Sequence, residues 1–468
     1  MNFNPEKPNS TQSFDWQQQP EADSLYRQLV DEFCDDCAPA NQLERRMLHE
    51  TGTRLIDWID HLAVSKDTQV NRNAFEAQLV AVGYEFDAEN EHGRWYTHQA
   101  GLFVPICVTT DSTRRMVVKV DAVAEFLASQ NLNGIPIEGS RNGQMRRAKI
   151  ATVENCELWV CERRGYMSWT VPFTSDALNA MATKHYEAFK LRLRDHADDQ
   201  SGFELATGLI KSSIKDLGVD WTCDLFFATE REYWQRKNHA ARVQKGRQDR
   251  LGLGWANHDH HTYRSSRAKF KSLIEVLELL GFQCRERFYA GEEAGWGAQV
   301  LEQPGCGIVI FADVDLTPKE LEGDFAHEGL TDASNELGVS TVGLWCQLYG
   351  EAFLQAGMHH LECTFDFDAA REQLKREGVN TMAPFTDCDY LRQAFTTGEI
   401  WYSIPSRTEE AVKKGFITSD QAKKFLTEGT VGSHLEILER NEGFKGFNQT
   451  GVSSIIRKTD PRTIEVSQ

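Results

Sequence analysis

The chain has 468 residues, 40% hydrophobic and 26% charged, an ordinary globular composition with ample material for a buried core. Its 51 basic residues against 70 acidic ones give a formal charge of −19, which argues against nucleic acid or an anionic membrane surface as a partner. It lacks a run of about 18 apolar residues, and its first residues (MNFNPEKPNSTQSF) are polar where a secretion leader would be basic and then apolar; the expectation is a soluble, cytoplasmic protein.

Residues 1–57 read as a helical or flexible N-terminal segment. Its CxxC, Cys34 and Cys37, has acidic residues inside it and no second pair to complete a zinc site, and is read as incidental. The eleven scattered cysteines fit reduced thiols better than a disulfide framework.

From residue 58 a faint repeat begins, each copy a short apolar strand, an amphipathic helix ending in Gly, and further strands. The first copy opens with the alternating WIDHLAV (58–64). It predicts a helix over 73–82 stopped by Gly83, a residue suited to the left-handed cap, and strands at 94–99 and 102–108. The second opens with MVVKV (116–120), and its helix over 121–133 runs to Gly134. Strands follow at 135–138, 145–152 and 157–163. Helix-period residues rich in charge, from 175 to about 250, read as a connector of low functional content.

The third copy opens with HDHHTYR (258–264). It has a helix over 268–280, a stop at Gly281, and strands at 284–289, 298–302 and 308–314. The run GEEAGWG (291–297) lacks the strand–GxGxxG–helix context and reads as a hairpin loop. The fourth copy opens with MHHLECTF (358–365) and has a helix over 368–377 ending at Gly378. An insertion follows, with a strand near 399–404 and a helix near 408–426, before the copy closes with GSHLEILER (432–440). The segment GFKGFNQTG (443–451) is either a loop closing over a cavity, with Lys445 and Gln449 reaching a substrate, or a turn-rich tail.

Five of the 14 histidines, at 258, 260, 261, 359 and 360, fall in the first strands of the third and fourth copies. Imidazoles and one carboxylate on a single face leave other coordination positions open, as an oxygen-activating iron(II) site or a Lewis-acid site requires. Side chains alternate along a strand, so one residue of each adjacent pair faces such a cavity. The candidates are His260 or His261 and His359 or His360, and spacing favours His359 in the fourth copy. Arg264 is a natural anchor for a carboxylate or 2-oxo acid beside a metal, or else a solvated surface residue.

The segments IDHLAV (59–64), ELWVCER (157–163) and HHLECTFDFDAA (359–370) resemble first and last strands of the vicinal-oxygen-chelate superfamily. That superfamily includes glyoxalase I, methylmalonyl-CoA epimerase, fosfomycin-resistance proteins, extradiol dioxygenases and 4-hydroxyphenylpyruvate dioxygenase. The resemblance implies an α+β fold of repeated βαβββ modules pairing into curved, cavity-forming mixed sheets. One pair would span 58–172 and another 257–456, joined by a helical connector over 173–256 and followed by a tail over 457–468. In its dioxygenases the C-terminal pair holds iron(II) by two histidines and one glutamate. That implies His260 or His261, His359 or His360, and Glu436, with Glu399 and Glu439 as substitutes for the carboxylate. HHTYR (260–264) also resembles the His-x-x-x-Arg strand of the 2-oxoadipate dioxygenase/decarboxylase family, which implies His260 as ligand and Arg264 as the grip on a substrate carboxylate. The second copy has Val118, Lys119 and Val120 where a histidine would sit, so the N-terminal pair keeps at most His61 and Glu157 and is expected to hold no metal.

The expectation is a divalent-metal enzyme, with iron(II) favoured over zinc, manganese or nickel, that acts as a dioxygenase on a small oxo- or hydroxy-carboxylic acid. A metal-assisted lyase or isomerase and a metal-free binding protein are the alternatives. A homo-oligomer is compatible with either.

Overall fold

A computed structural model describes residues 16–66, 68–331 and 338–463. A helical hairpin comes first. Helices α1 (Pro20–Asp36) and α2 (Ala38–Thr51) each carry proline in the first turn, where its missing N–H would have no intrahelical partner anyway. Leu25, Leu29, Phe33, Leu43 and Met47 bury one face of this hairpin against the first sheet, and Cys34 and Cys37 lie in the same core. Burial pushes the Cys34 thiol up to about 12, which suits an inert core cysteine. At Gly52 (φ +67°) α2 ends against the C-terminal half so closely that a Cβ would lie 2.7 Å from the backbone of Ala370.

The first sheet contains β1 (Ile59–Ser65), β2 (Glu85–Asn90), β3 (Gly93–Thr97), β4 (Ile106–Thr109), β5 (Arg114–Lys119), β6 (Met145–Val153) and β7 (Cys156–Arg163) in the order β2-β3-β4-β1-β5-β7-β6. Helix α3 (Gln69–Ala81) follows β1 and α4 (Val123–Ser129) follows β5. In each module the first strand lies parallel to the last, β1 to β4 and β5 to β7, and the modules meet along the antiparallel seam β1/β5.

Four connector helices follow: α5 (Asp176–Leu191), α6 (Asp199–Leu217), α7 (Val219–Arg236) and α8 (His239–Arg250). The second sheet repeats the plan. Its strands are β8 (His258–Arg264), β9 (Gln283–Tyr289), β10 (Trp296–Gln303), β11 (Ile308–Asp315), β12 (His360–Thr364), β13 (Thr386–Cys388), β14 (Leu391–Phe395), β15 (Glu399–Trp401) and β16 (Thr430–Arg440). They run β9-β10-β11-β8-β12-β16-β14-β13, with β15 also on β16. Again β8 is parallel to β11 and β12 to β16, and β8/β12 is the antiparallel seam. Helices α9 (Arg267–Leu279), α10 (Thr341–Tyr349), α11 (Phe367–Arg376), α12 (Pro405–Lys413), α13 (Ser419–Thr427) and α14 (Gln449–Lys458) complete the fold. The βαβββ repeat, its two mixed sheets and the α+β class are as read from the sequence, and neither sheet closes into a barrel.

Several details differ, among them strands β13 and β14 and helix α14, which were not expected. Residues 135–138 make one isolated bridge, Glu138 to Arg147, in place of a strand, and α4 is shorter than the expected 121–133. Strand β2 was not expected because its residues are exposed on both faces and so do not alternate. The single helix near 408–426 is two, α12 and α13, the second started by a capping box at Thr418. Helix α10 was also not anticipated; it is apolar almost throughout and buried, so it lacks the one-sided period of a surface helix.

Connector residues Phe189, Phe226, Phe227 and Trp234 share one core with Tyr263, Leu361, Cys363, Leu435 and Ile437, the outward-facing alternates of β8, β12 and β16. The opposite, concave face carries Phe288, Trp296 and Phe395, and Ile455 and Ile456 of α14 pack onto it with Phe447. Among the described residues no helix is long and apolar enough to cross a membrane.

Candidate metal centre

Strand alternation decides which histidine of each pair enters the concave face. His260 on β8 and His360 on β12 come together there with Glu436 on β16, and one ligand atom from each falls within 4.8 Å of the others. All three are buried. His360 Nε2 lies 3.1 Å from Glu436 Oε2. The ring nitrogens pointing away from this cluster are held elsewhere. His260 Nδ1 meets Glu362 and, at 3.3 Å, Asp259, while His360 Nδ1 is 2.8 Å from His359 Nδ1. Engagement of one imidazole nitrogen by a neighbour fixes the tautomer and aims the other at the shared point.

The other member of each pair is placed differently. His261 faces the helices behind the sheet, edge-on to Phe227 and His258 and 3.5 Å from Arg231. His359, favoured by spacing, precedes β12 and touches the cluster only through His360; its ring packs on Trp345 and beside His434. The substitutes for Glu436 are occupied elsewhere. Glu399 accepts the His239 backbone N–H at 2.6 Å, and Glu439 caps α11 at the Phe367 N–H.

Glu362, absent from the sequence-based candidates, is part of the same face. It pairs in register with Glu436 on one side and with His260 on the other, and Gln393 Nε2 donates to both glutamates, at 3.1 and 3.2 Å. Its Oε2, though against His260 Nδ1, lacks a hydrogen bond of proper geometry. Two facing carboxylates with little water near them resist ionisation. Burial pushes Glu436 up to about 8, and burial together with the Glu436 charge pushes Glu362 well above the carboxylate range. The spacing His360-x-Glu362 was a usable signal, since residues two apart on a strand share a face. His434 is likewise two residues from Glu436, and its Nδ1–H donates to the Thr396 carbonyl at 3.0 Å.

Arg264 lies on the same face as His260, four residues along β8, and is buried rather than solvated. Its carboxylate neighbour, Asp313 on β11, is 3.9 Å from its Nε, too far for a hydrogen bond, and that Nε has no partner. Burial lifts Asp313 to about 7 against the opposing pull of Arg264, so the pair is poorly matched as it stands. Burial, aided by the Arg264 charge, keeps the imidazoles of His359, His360 and His434 neutral. Lys445 is turned toward the N-terminal half, over the Trp16 ring and 3.5 Å from the Gln99 carbonyl. Gln449 opens α14, the helix that covers the concave face, and its backbone carbonyl accepts the Ser453 hydroxyl.

In the N-terminal sheet the corresponding face is filled. Trp169 stacks on Trp95 with ring centroids 3.7 Å apart, and His61 lies edge-on to both rings with Nδ1 on Asp60, itself clamped by Arg163. Glu157 is bound by Arg115, Lys149 and Trp159.

No family model matches the chain, and no curated relative matches it. Similar solved structures include methylmalonyl-CoA epimerase from Mycobacterium tuberculosis, at 16% identity over 40% of this chain and 88% of that one, with a TM-score of 0.23. A substituted 4-hydroxymandelate synthase from Streptomyces coelicolor is 12% identical over 73% of this chain and 96% of that one, with a TM-score of 0.28. A xylose isomerase-like TIM barrel/4-hydroxyphenylpyruvate dioxygenase fusion protein is 9% identical over 88% of this chain and 53% of that one, with a TM-score of 0.26.

Proposed function

We propose that this chain is a divalent-metal enzyme of the vicinal-oxygen-chelate kind, with His260, His360 and Glu436 as metal ligands, and that it is an iron(II)-dependent dioxygenase of small oxo- or hydroxy-carboxylic acids. One observation carries the reading: three donors of metal-binding type, from three adjacent strands of two modules, converge on one buried point. The fit is supported by the surroundings. Buried glutamates that resist ionisation, one with an oxygen lacking a well-formed hydrogen bond, make a site short of positive charge.

The seam gives an argument for three ligands over four. Glu436 stands opposite Glu362 on the β12/β16 pair; the matching position of the other module, opposite Thr262 on the β8/β11 pair, is Phe311. A symmetric set would place a fourth donor there. The phenyl ring instead packs on His260 at 4.5 Å and on Phe447 at 5.0 Å, leaving that side apolar. Two imidazoles and one carboxylate with open positions suit ferrous oxygenase chemistry, and zinc, manganese or nickel would also accept such donors. When bound, the ion supplies Lewis acidity and positions for substrate oxygen and dioxygen.

The chain's own residues do the rest. Arg264, buried with an unpaired Nε, holds the substrate carboxylate through its planar fork of donors. Phe311, Phe395 and Phe447 keep water from the reacting end, which strengthens every charge interaction within. Glu362 faces His260 Nδ1–H and so orients the ring, and as a carboxyl that resists ionisation it can take up and return a proton.

That last property favours a second reading, a metal-assisted isomerase or lyase in which Glu362 moves a proton beside a carbonyl. Metal analysis and oxygen uptake test both. Purified protein reconstituted with iron(II) should consume oxygen with some member of a panel of 2-oxo and hydroxy acids. Solvent deuterium entering the acid without oxygen uptake would replace the first reading by the second. Failure of the protein to retain any divalent metal would defeat both.

A further inference from the structure

A second cluster of donors lies on the other edge of the same sheet. Glu278 near the end of α9, Cys284 at the start of β9 and His327 in the turn after the short helix Pro318–Glu322 bring one ligand atom each within 4.8 Å of the others. None of the three belongs to the concave face. We propose that Glu278, Cys284 and His327 form a peripheral zinc-type site that clips the segment after β11 to the edge strand β9.

The imidazole carries the argument. His327 Nδ1 is 2.7 Å from Asp324 Oδ2, and Asp324 is held in turn by Arg287, whose Nη2 donates to its Oδ1 at 2.9 Å. Arg287 also donates to the Gly323 carbonyl at 2.8 Å and lies over the Phe325 ring, so the turn is fastened on both sides of Asp324. With the Nδ1 proton given to Asp324, Nε2 points at Glu278 Oε1, 2.7 Å away. At that distance the contact is a hydrogen bond with a proton on Nε2, and a metal ion bound there would take the proton's place as the two ligand atoms move slightly apart. The Cys284 thiol lies in the same cluster, and a sulfur, nitrogen and oxygen donor set suits zinc. The carboxylate–histidine–metal arrangement, with Arg287 fixing the carboxylate, is the outer support that ligating histidines ordinarily show. His327 and Glu278 are both partly exposed, which gives an ion a path in.

The site has a structural purpose. β9 is the outer strand of its sheet, and the segment after β11 reaches it through Arg287 while Phe325 and Ala326 anchor it in the core. A shared ion ties that segment, α9 and the edge strand together.

Cobalt(II) alone, added to the chelator-treated full-length protein, tests this, because a cobalt–thiolate bond gives a near-ultraviolet charge-transfer absorption that nitrogen and oxygen ligands do not. The absorption should appear in the wild type and in Glu436→Gln, and be lost in Cys284→Ser. Zinc should bleach it. Asp324→Asn should weaken the binding that gives the band by roughly 10- to 100-fold. Should Cys284→Ser prove unfolded by circular dichroism, His327→Gln, at a partly exposed position, serves in its place. Absence of the thiolate band in the wild type, or its persistence in the folded Cys284→Ser or His327→Gln protein, would overturn the proposal and leave His327 as a protonated bridge between two carboxylates.

Discussion

Removing one buried carboxylate should make the metal-free protein more stable while ending iron(II) binding at the concave face. The group is Glu436, held at about 8 against an ordinary 4.5. A carboxyl that stays protonated in the fold but ionises in the unfolded chain loses stability as pH rises from the unfolded value through the folded one. At pH 7 the loss is the gap between 4.5 and 7, at about 1.4 kcal/mol per pH step, or about 3 kcal/mol; above pH 8 it levels off near 5 kcal/mol. Glu436→Gln keeps the shape, still accepts from Gln393 and can donate to His360 Nε2, so it removes the penalty without opening a hole. Thermal melts of chelator-treated protein should therefore show the variant above the wild type at pH 7 and further above it at pH 9, with no gain at pH 4. Saturating iron(II) should close most of the gap at pH 7 and about half of it at pH 9, since an ion at about 100 times its Kd adds about 2.7 kcal/mol to whichever form binds it. A chelated variant less stable than the wild type at pH 9, or equal stabilisation of both by metal, would refute the reasoning.

The histidine pairs should separate in an iron(II)-binding assay: His260→Ala or His360→Ala abolishes binding at the concave face, His261→Leu retains it, and His359→Phe, by freeing His360 Nδ1, lowers affinity roughly 10- to 100-fold. Arg264→Lys should weaken carboxylate binding almost as much as Arg264→Ala, by about 2–5 kcal/mol or roughly 30-fold and more, with metal content unchanged in elemental analysis. Glu230, buried between Arg192 at 2.5 Å and Arg194 at 2.6 Å, is a stability prediction away from the site. Glu230→Gln leaves two arginines underpaired and should cost about 3–5 kcal/mol, seen as a lowered melting temperature with the metal still bound.

What could be read from the sequence was whatever recurs with a period or a stop. The first strands at 59 and 360 carry alternating apolar residues and the one at 258 stands out by its histidines, and Gly83, Gly281 and Gly378 end their helices with φ between +84° and +95°, where a side chain would be strained. Gly134 is not such a stop; the turn after α4 uses Asn131 at φ +58° instead. Within the site, His260, His360, Glu436 and Arg264 were among the named candidates, but the choice of His360 over His359 depends on β12 beginning one residue later than the spacing suggested. Glu362, Gln393 and Asp313 were not found, because a carboxylate or amide on a strand is commonplace until its cross-strand partners are known. A loop closing over a cavity was one of the two readings of 443–451, but the helix α14 and the packing of Phe447 on the concave face could not be read from so turn-rich a segment.

The histidine doublets have a consequence for how the chain finds its pairing. A strand that slips by one residue turns every side chain to the opposite face. On β8 such a slip exchanges His260 for His261, and beside β12 it exchanges His360 for His359, so an imidazole still arrives at the metal point. On β16 it brings Leu435 or Ile437 in place of Glu436, and the carboxylate is gone. A slip on β8 or β12 would also turn Tyr263, or Leu361 and Cys363, out of the core, so burial aligns both histidine strands. Of the three proposed ligands the carboxylate alone has no neighbour that could stand in for it.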